Sequence, residues 1–220
     1  MNRGVIFDMD GVLVDNLEAH EKSFELFCAK YGLPFSKSSL KNLYGRSNDA
    51  IMPALFGCEL TKEDILKFEA EKEALYRDVY ADTIEPAPGI VDYIISLKNI
   101  GIKIAVGSSA PLENIDFVLD SCNIRQYFDA IVHARMVSRA KPEPDIFLAA
   151  ARLMNVEPEN CLVFEDALAG IEAAHRAGMK VIALPTTNPR ERINHADMVI
   201  GSFLEMNLDI TAKLFNVNEL

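Results

Sequence analysis

Two aspartates, separated by one residue, follow a short apolar run near the start of the chain. The run ends at residue 7, and Asp8 and Asp10 come directly after it, with Gly11 behind them. A strand of a parallel sheet buries both of its faces, and open α/β sheets place their chemistry just beyond the carboxyl ends of such strands. The sequence therefore predicts that Asp8 and Asp10 are site residues.

Further polar groups follow three later apolar segments. They are a hydroxyl pair, one lysine and a second pair of acids: Ser108, Ser109, Lys141, Glu165 and Asp166. Because all strands of a parallel sheet point their carboxyl ends to the same edge, we expect these groups to meet the two aspartates in one crevice. Taken singly, each has a simpler interpretation, since serines cap helices, acids charge a helix start and most lysines are solvated. Their joint position at successive strand ends favours a site.

Four carboxylates and one ammonium at one sheet edge suit the transfer of a phosphoryl group. Clustered carboxylates repel one another, and Mg²⁺ relieves that repulsion while keeping positions for water and phosphate. Ser108, Ser109 and Lys141 would bind the phosphoryl oxygens, with Pro111 and Pro142 marking a helix start beside each. One carboxylate would be free to attack phosphorus in line. We therefore expect a Mg²⁺ site that acts on a small phosphorylated metabolite.

The elements that must position these residues come in two kinds. The first strand is followed by helical patterns only, at 17–31, 36–44, 48–56 and 61–82. From residue 86 onward the pattern changes to alternating helices and strands. The predicted helices are 90–100, 111–122, 143–154 and 167–177, and the predicted strands are 103–106, 130–133, 161–164, 180–184 and 198–200.

Alternation of this kind predicts an α/β fold with a doubly wound, Rossmann-like parallel sheet. A stretch of about seventy helical residues is too long for an ordinary crossover between two strands. We therefore expect a helical cap domain, residues 16–82, inserted after the first strand. Residues 1–15 and 83–220 would form the α/β core domain.

The acidic composition narrows the classes of partner. The formal net charge is −11, so the overall field repels nucleic acid and anionic membranes. No apolar run approaches the roughly 20 residues that a transmembrane helix needs. The four cysteines are scattered without a C-x-x-C pair, which favours reduced thiols over disulfides or a zinc site. We expect a monomeric, cytoplasmic protein with a small-molecule partner and neither a nucleic-acid nor a membrane partner.

Four segments resemble, in order, the four motifs of the haloacid dehalogenase superfamily of phosphotransferases. They are Asp8-Met-Asp10-Gly-Val, Val-Gly-Ser108-Ser109, Ala-Lys141-Pro-Glu-Pro-Asp145 and Phe-Glu165-Asp166-Ala-Leu-Ala-Gly170. The match spans nearly the whole chain. A helical cap after the first strand is similar to the subgroup that contains beta-phosphoglucomutase and several sugar phosphate phosphatases.

The resemblance implies a two-step mechanism. Asp8 would attack phosphorus and become an aspartyl phosphate, while Asp10 would protonate the leaving oxygen and then deprotonate the acceptor, usually water. Mg²⁺ would be held by the Asp8 side chain, the Asp10 main-chain carbonyl and Asp166, with Glu165 close by or acting through water.

Three residues of the predicted cap are implicated by the same resemblance. His20 and Lys72 match positions that help to couple cap closure to the acid/base aspartate in beta-phosphoglucomutase. Arg46 lies in a loop that resembles the specificity loop of the subgroup, where it would clamp a second anionic group of the substrate. From the residues alone, His20 is equally well a packing histidine, and Lys72 suits the solvated face of a charged helix.

Two activities share this chemistry. A mutase must bind phosphate at both ends of a bisphosphate intermediate, and beta-phosphoglucomutase has a lysine where Tyr44 aligns and an arginine where Asn48 aligns. Because both cations are missing here, the sequence favours hydrolysis of a sugar phosphate. A phosphomutase is the alternative, since Arg46 is near enough to substitute.

Three other interpretations have less support. A calcium loop starting at Asp8 would need ligands where Val12 and Ala19 stand. A dehalogenase does not require an acid at Asp10, because a departing halide needs no proton. A catalytically silent sugar phosphate-binding module would be favoured by loss of one of the motif residues, and all of them are present.

Overall fold

A six-stranded parallel sheet forms the centre of the molecule. The computed structural model describes residues 2–36 and 48–218, and within them the strand order is β3-β2-β1-β4-β5-β6. β1 pairs with β2 on one side and β4 on the other, so its carboxyl end opens at the middle of one sheet edge. The predicted doubly wound α/β fold is confirmed. The strands are β1 (Gly4–Phe7), β2 (Lys103–Gly107), β3 (Ala130–Val132), β4 (Cys161–Glu165), β5 (Lys180–Ala183) and β6 (Met198–Val199).

The helices agree closely with the pattern in the sequence. They are α1 (Leu17–Tyr31), α2 (Asn48–Phe56), α3 (Lys62–Tyr80), α4 (Ile90–Asn99), α5 (Leu112–Ser121), α6 (Asp145–Met154), α7 (Leu168–Arg176) and α8 (Leu208–Leu214). Helix α8 has no counterpart in the prediction, because seven residues are too few to show a periodicity. The helix predicted at 36–44 lies, apart from Ser36, outside the described residues. None of the described helices is both long and apolar enough to cross a membrane.

Helix α6 begins later than the sequence predicts. The expected start beside Pro142 is wrong, because the helix begins at Asp145 after Pro144. A residue that precedes a proline is disfavoured in the helical region, so Pro144 keeps Glu143 out of the helix. Residues 140–143 instead form a turn, in which the Glu143 amide donates to the Ala140 carbonyl at 3.0 Å.

Two apolar clusters on opposite faces of the sheet hold β1 in place. Val5 and Phe7 belong to one cluster and Ile6 to the other, and all three are fully buried. Phe7 stacks on Phe164 of β4, with ring centroids 5.0 Å apart. Burial on both faces accounts for the continuous apolar run and fixes the point at which the polar residues begin.

Helices α1, α2 and α3, which we call the helical insertion, lie between β1 and α4 in the chain. Thr61 caps α3 by accepting a hydrogen bond from the Asp64 amide at 3.1 Å. The insertion has its own aromatic contacts, such as Phe56 stacked on Phe68 at 4.4 Å. The two chain segments that lead into and out of it lie side by side, since the Tyr80 hydroxyl donates to the Asp15 carbonyl at 3.1 Å. Its role as a separate cap domain, residues 16–82, stays a prediction.

Candidate active site

The first site residues lie directly beyond β1. The Asp8 amide still donates to the Phe164 carbonyl at 2.9 Å, so the pairing with β4 continues to the residue that carries the first carboxylate. Gly11 then turns the chain with a positive φ of 71°. A Cβ atom at Gly11 would lie 2.0 Å from Asp166 Oδ2, so glycine is required for the close approach of β1 and β4 ends.

Lys141 connects the first and the last motif. Its ammonium donates to Asp8 Oδ1 at 2.8 Å and to Glu165 Oε1 at 2.5 Å, and all three side chains are buried. Burial by itself would lower the pKa of Lys141, but the charges of Asp8 and Glu165 and their hydrogen bonds outweigh it and raise the pKa. Lys141 is therefore a fixed positive charge beside the Asp8 carboxylate.

Three hydrogen bonds within the protein hold the Glu165 carboxylate. Its Oε1 accepts from Lys141, and its Oε2 accepts from the amides of Asp166 and Ala167 at 2.8 Å each. A Cβ atom at position 170 would lie 1.8 Å from Glu165 Oε1, so Gly170 leaves the space that this side chain fills. Glu165 thus holds Lys141 and the two amides that precede α7 in place.

Asp166 is held by the loop after β5. Its Oδ2 accepts hydrogen bonds from the hydroxyls of Thr186, at 3.1 Å, and Thr187. The single proton of the Thr186 hydroxyl is shared with the Gly11 carbonyl oxygen, which lies 2.7 Å from Oγ1. The sequence prediction omitted both threonines, although their position beyond a parallel strand was the signal that could have revealed them.

Three of these carboxylates form a cluster whose negative charge the neighbouring Lys141 does not balance. Oxygen atoms of Asp8, Glu165 and Asp166 all lie within 4.8 Å of one another. Burial, together with Glu165 and Asp10, raises the pKa of Asp8 to about 7 against the opposing charge of Lys141. Burial and the neighbouring Glu165 and Asp8 raise the pKa of Asp166 well above its usual range. Hard oxygen ligands with unbalanced negative charge fit a divalent cation such as Mg²⁺.

Asp10 has different surroundings from Asp8. Its Oδ1 accepts from Asn16 Nδ2 at 2.7 Å and lies 3.5 Å from His20 Nε2. Burial would raise the pKa of Asp10, but His20, Asn16 and Lys72 together lower it. Asn16 precedes α1 but makes no capping hydrogen bond to the helix; its side chain binds Asp10 and the Tyr76 hydroxyl instead.

The serine pair lies beyond β2. Ser108 is buried, and its Oγ accepts from the Ala110 amide at 3.1 Å, while the Ser108 amide donates to the Val132 carbonyl. Both of these amides are therefore used inside the protein. Ser108 and Ser109 both line the cavity, where their hydroxyls can face a ligand before α5 begins at Leu112.

His20 and Lys72 meet within the helical insertion. Lys72 Nζ lies 3.3 Å from His20 Nδ1 and 3.0 Å from Glu73 Oε1. Because an ammonium can only donate, Nδ1 must accept. The proton of a neutral ring is then on Nε2, the nitrogen nearest to Asp10. Arg46 lies outside the described residues.

One cavity, of about 110 Å³, collects these groups. Every predicted site residue that the structure describes lines it, from the sheet side and from the helical insertion. Residues that the sequence prediction omitted also contribute to the cavity or its support, among them Tyr76, Glu73, Asn114 and Thr187. Tyr76 and Glu73 lie on a helix whose charged pattern suggested a solvated face, and Asn114 lies in the first turn of α5. Local sequence therefore gave no signal for these three residues.

Comparison with known proteins agrees with the motifs. The sequence model of the haloacid dehalogenase-like hydrolases matches residues 5–184. The fructose-1-phosphate phosphatase YqaB of Escherichia coli K12 is 35% identical over 179 residues, which cover 81% of this chain and 94% of YqaB. Beta-phosphoglucomutase of Bacillus subtilis 168 is 32% identical over 219 residues, which cover 94% of this chain and 93% of that enzyme.

A solved structure of similar fold is that of a CbbY mutant from Rhodobacter sphaeroides in complex with xylulose-(1,5)bisphosphate. It has a TM-score of 0.85 and 28% identity to this chain, and the match covers 94% of this chain and 97% of CbbY. Sequence motifs, sheet order and these similarities agree. The chain is an enzyme that belongs to the haloacid dehalogenase-like hydrolases, in the group of beta-phosphoglucomutase-like phosphatases and phosphomutases.

Proposed function

We propose that the protein is a Mg²⁺-dependent phosphatase that hydrolyses a small sugar phosphate through an aspartyl-phosphate intermediate. The observation that carries the proposal is the pairing of two unlike aspartates at one sheet edge. Asp8 lies against Lys141 in the carboxylate cluster, while Asp10, two residues on, is held by Asn16 near His20. One carboxylate thus suits a nucleophile, and the other suits a proton carrier.

The cation would be held by the side chains of Asp8 and Asp166 and by the main-chain carbonyl of Asp10. The carboxylate cluster supports this assignment, and Glu165 would act from the second layer because its oxygens already accept three hydrogen bonds. A bound Mg²⁺ would offset the negative charge that develops on the phosphoryl oxygens.

The chain's own residues would carry the two displacements. Asp8 attacks phosphorus, the bond from phosphorus to the sugar oxygen breaks, and that oxygen takes a proton from Asp10. Asp10 then removes a proton from water, which attacks the phosphoryl group and frees Asp8. Lys141, Ser108 and Ser109 would bind the phosphoryl oxygens during both steps.

The relatives and the cavity support a sugar phosphate as the substrate class. The Escherichia coli relative is a fructose-1-phosphate phosphatase, and a relative of Thermotoga maritima is a phosphorylated carbohydrates phosphatase. The cavity, about 110 Å³ in volume, suits a small leaving group. A phosphomutase is the second candidate, because similarity to the Bacillus subtilis beta-phosphoglucomutase extends over 94% of this chain.

A screen would test the proposal directly. Phosphate release is measured with Mg²⁺ over sugar phosphates, nucleotides, pyrophosphate and p-nitrophenyl phosphate, beside a coupled assay for isomerisation of β-glucose 1-phosphate. Release from one or more sugar phosphates, faster than any isomerisation, is the expected result. Isomerisation that exceeds hydrolysis would establish the mutase instead. The absence of both activities would contradict both candidates.

A further inference from the structure

The side of the cavity formed by the helical insertion faces the phosphoryl site and is where the leaving group of a substrate would lie. We call this side the insertion wall. Within the described residues it consists of Leu17, His20, Phe24, Asn48, Ile51, Lys72 and Glu73. Asp10, the proposed proton donor to the leaving oxygen, lines the same cavity, so the sugar must extend from Asp10 toward this wall.

Among the described residues of the insertion wall, Lys72 alone carries a formal positive charge, and Glu73 neutralises that charge. Its side chain is 3% exposed, and its ammonium lies 3.0 Å from Glu73 Oε1, 3.3 Å from His20 Nδ1 and 4.4 Å from the centre of the Phe24 ring. Glu73 and His20 accept two of the three N–H groups of the ammonium, and the Phe24 ring covers a further side of it. Lys72 therefore has at most one donor left for a ligand anion.

Glu73 is held in place from both sides of the cavity. Its Oε1 also accepts from Asn48 Nδ2 at 2.9 Å, and its Oε2 accepts from Asn114 Nδ2 of α5 at 2.7 Å. Arg77 donates to the side-chain oxygen Oδ1 of Asn114 at 2.7 Å. This bond turns the side-chain nitrogen Nδ2 of Asn114 toward Glu73. Lys72, His20, Asn48 and Asn114 keep the pKa of Glu73 low despite its burial.

The insertion wall therefore presents acceptors rather than unpaired cations. A carboxylate has about four acceptor positions, and three of those of Glu73 are occupied within the protein. Sugar hydroxyls can donate to the remaining position. Among the residues that the structure describes, a second phosphate, which is an acceptor and carries negative charge, would find no unpaired cation on this wall.

We propose that Glu73 is a specificity-determining residue that selects an uncharged polyol leaving group and rejects sugars with a second phosphate. It does so by neutralising Lys72, the cation of the described wall that a second phosphate could otherwise bind. The inference rests on the proposed function, because the polyol is the leaving group only if the enzyme hydrolyses a sugar phosphate. The CbbY mutant of similar fold contains a bisphosphate, so the fold itself does not exclude one, and rejection must come from side chains.

A neighbouring groove provides a matched control. Arg135 lines this groove, which adjoins the cavity at Asn48, Ser109 and Lys141. Its guanidinium is paired with Glu69, one turn before Glu73 on α3, at 3.1 Å. Glu69→Gln therefore removes the same charge from the same helix, and also frees a cation, without altering the insertion wall.

The experiment uses the full chain with Mg²⁺ and p-nitrophenyl phosphate as the reporter substrate. Inhibition constants, and kcat/KM where phosphate is released, are measured for fructose 1-phosphate and fructose 1,6-bisphosphate with the wild type, Glu73→Gln and Glu69→Gln. We expect the wild type to favour the monophosphate by about 10-fold or more. Glu73→Gln should reduce that preference by about 10-fold, while Glu69→Gln should leave it within about 2-fold of the wild type.

Three outcomes would overturn the inference: an unchanged preference in Glu73→Gln, an equal change in Glu69→Gln, or a wild type that does not favour the monophosphate. Should Glu73→Gln fail to fold, Asn48→Lys adds a positive charge to the same wall and must shift the preference in the same direction. Wild-type enzyme that hydrolyses neither the reporter nor any sugar phosphate would instead refute the proposed function.

Discussion

Two buried lysines mark the two sides of the cavity, and their surroundings differ. Lys141, on the sheet side, lies between Asp8 and Glu165 in a cluster where acids outnumber bases. Lys72, on the insertion side, forms a pair with Glu73 in which the charges cancel. An excess of negative charge prepares the sheet edge for a cation, whereas a neutral wall suits an uncharged sugar. Under the proposed function, the reacting groups would lie on the sheet side and the groups that select the sugar would lie on the insertion side.

The largest effect should come from the sheet side. Asp8→Asn keeps the shape of the side chain but removes the nucleophile, so we expect hydrolysis of p-nitrophenyl phosphate to fall by about 10⁴-fold or more. Glu73→Gln, on the other side, should keep this activity within about 10-fold of the wild type. Steady-state kinetics of both variants, with circular dichroism to check folding, would measure the contrast. Comparable turnover in Asp8→Asn would eliminate the covalent step.

Removal of the metal should lower the activity and the stability that depend on the carboxylates of the sheet side. With excess chelator we expect activity to fall by about 10³-fold and to return on addition of Mg²⁺, because the cation offsets charge in the transition state. Mg²⁺ at about 100 times its dissociation constant should also raise the free energy of unfolding by about 2.7 kcal/mol. Thermal unfolding with and without Mg²⁺ gives this second measurement. Full activity in chelator, or a stability that Mg²⁺ does not change, would contradict the assignment.

The charge imbalance at the sheet edge also predicts a pH dependence of stability in the metal-free protein. The pKa of Asp8 is raised from 3.8 to about 7 on folding, so between these pH values folding takes up a proton. Stability therefore falls as the pH rises from about 4 to about 7, and then levels off. Asp8→Asn lacks this proton uptake.

Denaturant unfolding of the wild type and Asp8→Asn across this range isolates the effect from other titrating groups. The stability of the variant relative to the wild type should increase from pH 4 to pH 7. Saturating Mg²⁺ should flatten the wild-type dependence, because it stabilises the ionised carboxylate. A relative stability that is the same at both ends of the range would show that Asp8 is ionised throughout.

The smallest effects on stability should come from loss of either of two contacts between α3 and the sheet side, and the two losses should differ in size. Asn114 is buried and bonds both Glu73 and Arg77, so Asn114→Ala should cost about 1–3 kcal/mol of stability and raise KM for a sugar phosphate. Arg135 is 51% exposed where it meets Glu69, so Arg135→Ala should cost less than about 1 kcal/mol. Denaturant unfolding and KM values for both variants would test the order. Equal losses would mean that burial does not distinguish the two contacts.

Much of the sheet side could be predicted from sequence. Continuous apolar runs and alternating helices define parallel strands, and strand direction alone brings Asp8, Ser108, Lys141 and Asp166 to one edge. The first residue of α6 was missed by a few positions, because Pro144 excludes its neighbour from the helix. The resemblance to a family supplied His20 and Lys72, whose own local pattern was equally consistent with packing or solvation.

The sequence by itself determined the fold class, the order of the elements and the identity of the polar residues at the strand ends, because these depend on local periodicity and strand direction. Only the tertiary structure decided that Glu165 is occupied by Lys141 and two amides, and that Asn16 serves Asp10 rather than its own helix. It also decided that Glu73 meets Asn114, 41 residues away. Contacts of this kind depend on how separate elements pack, and no periodicity along the chain encodes that arrangement.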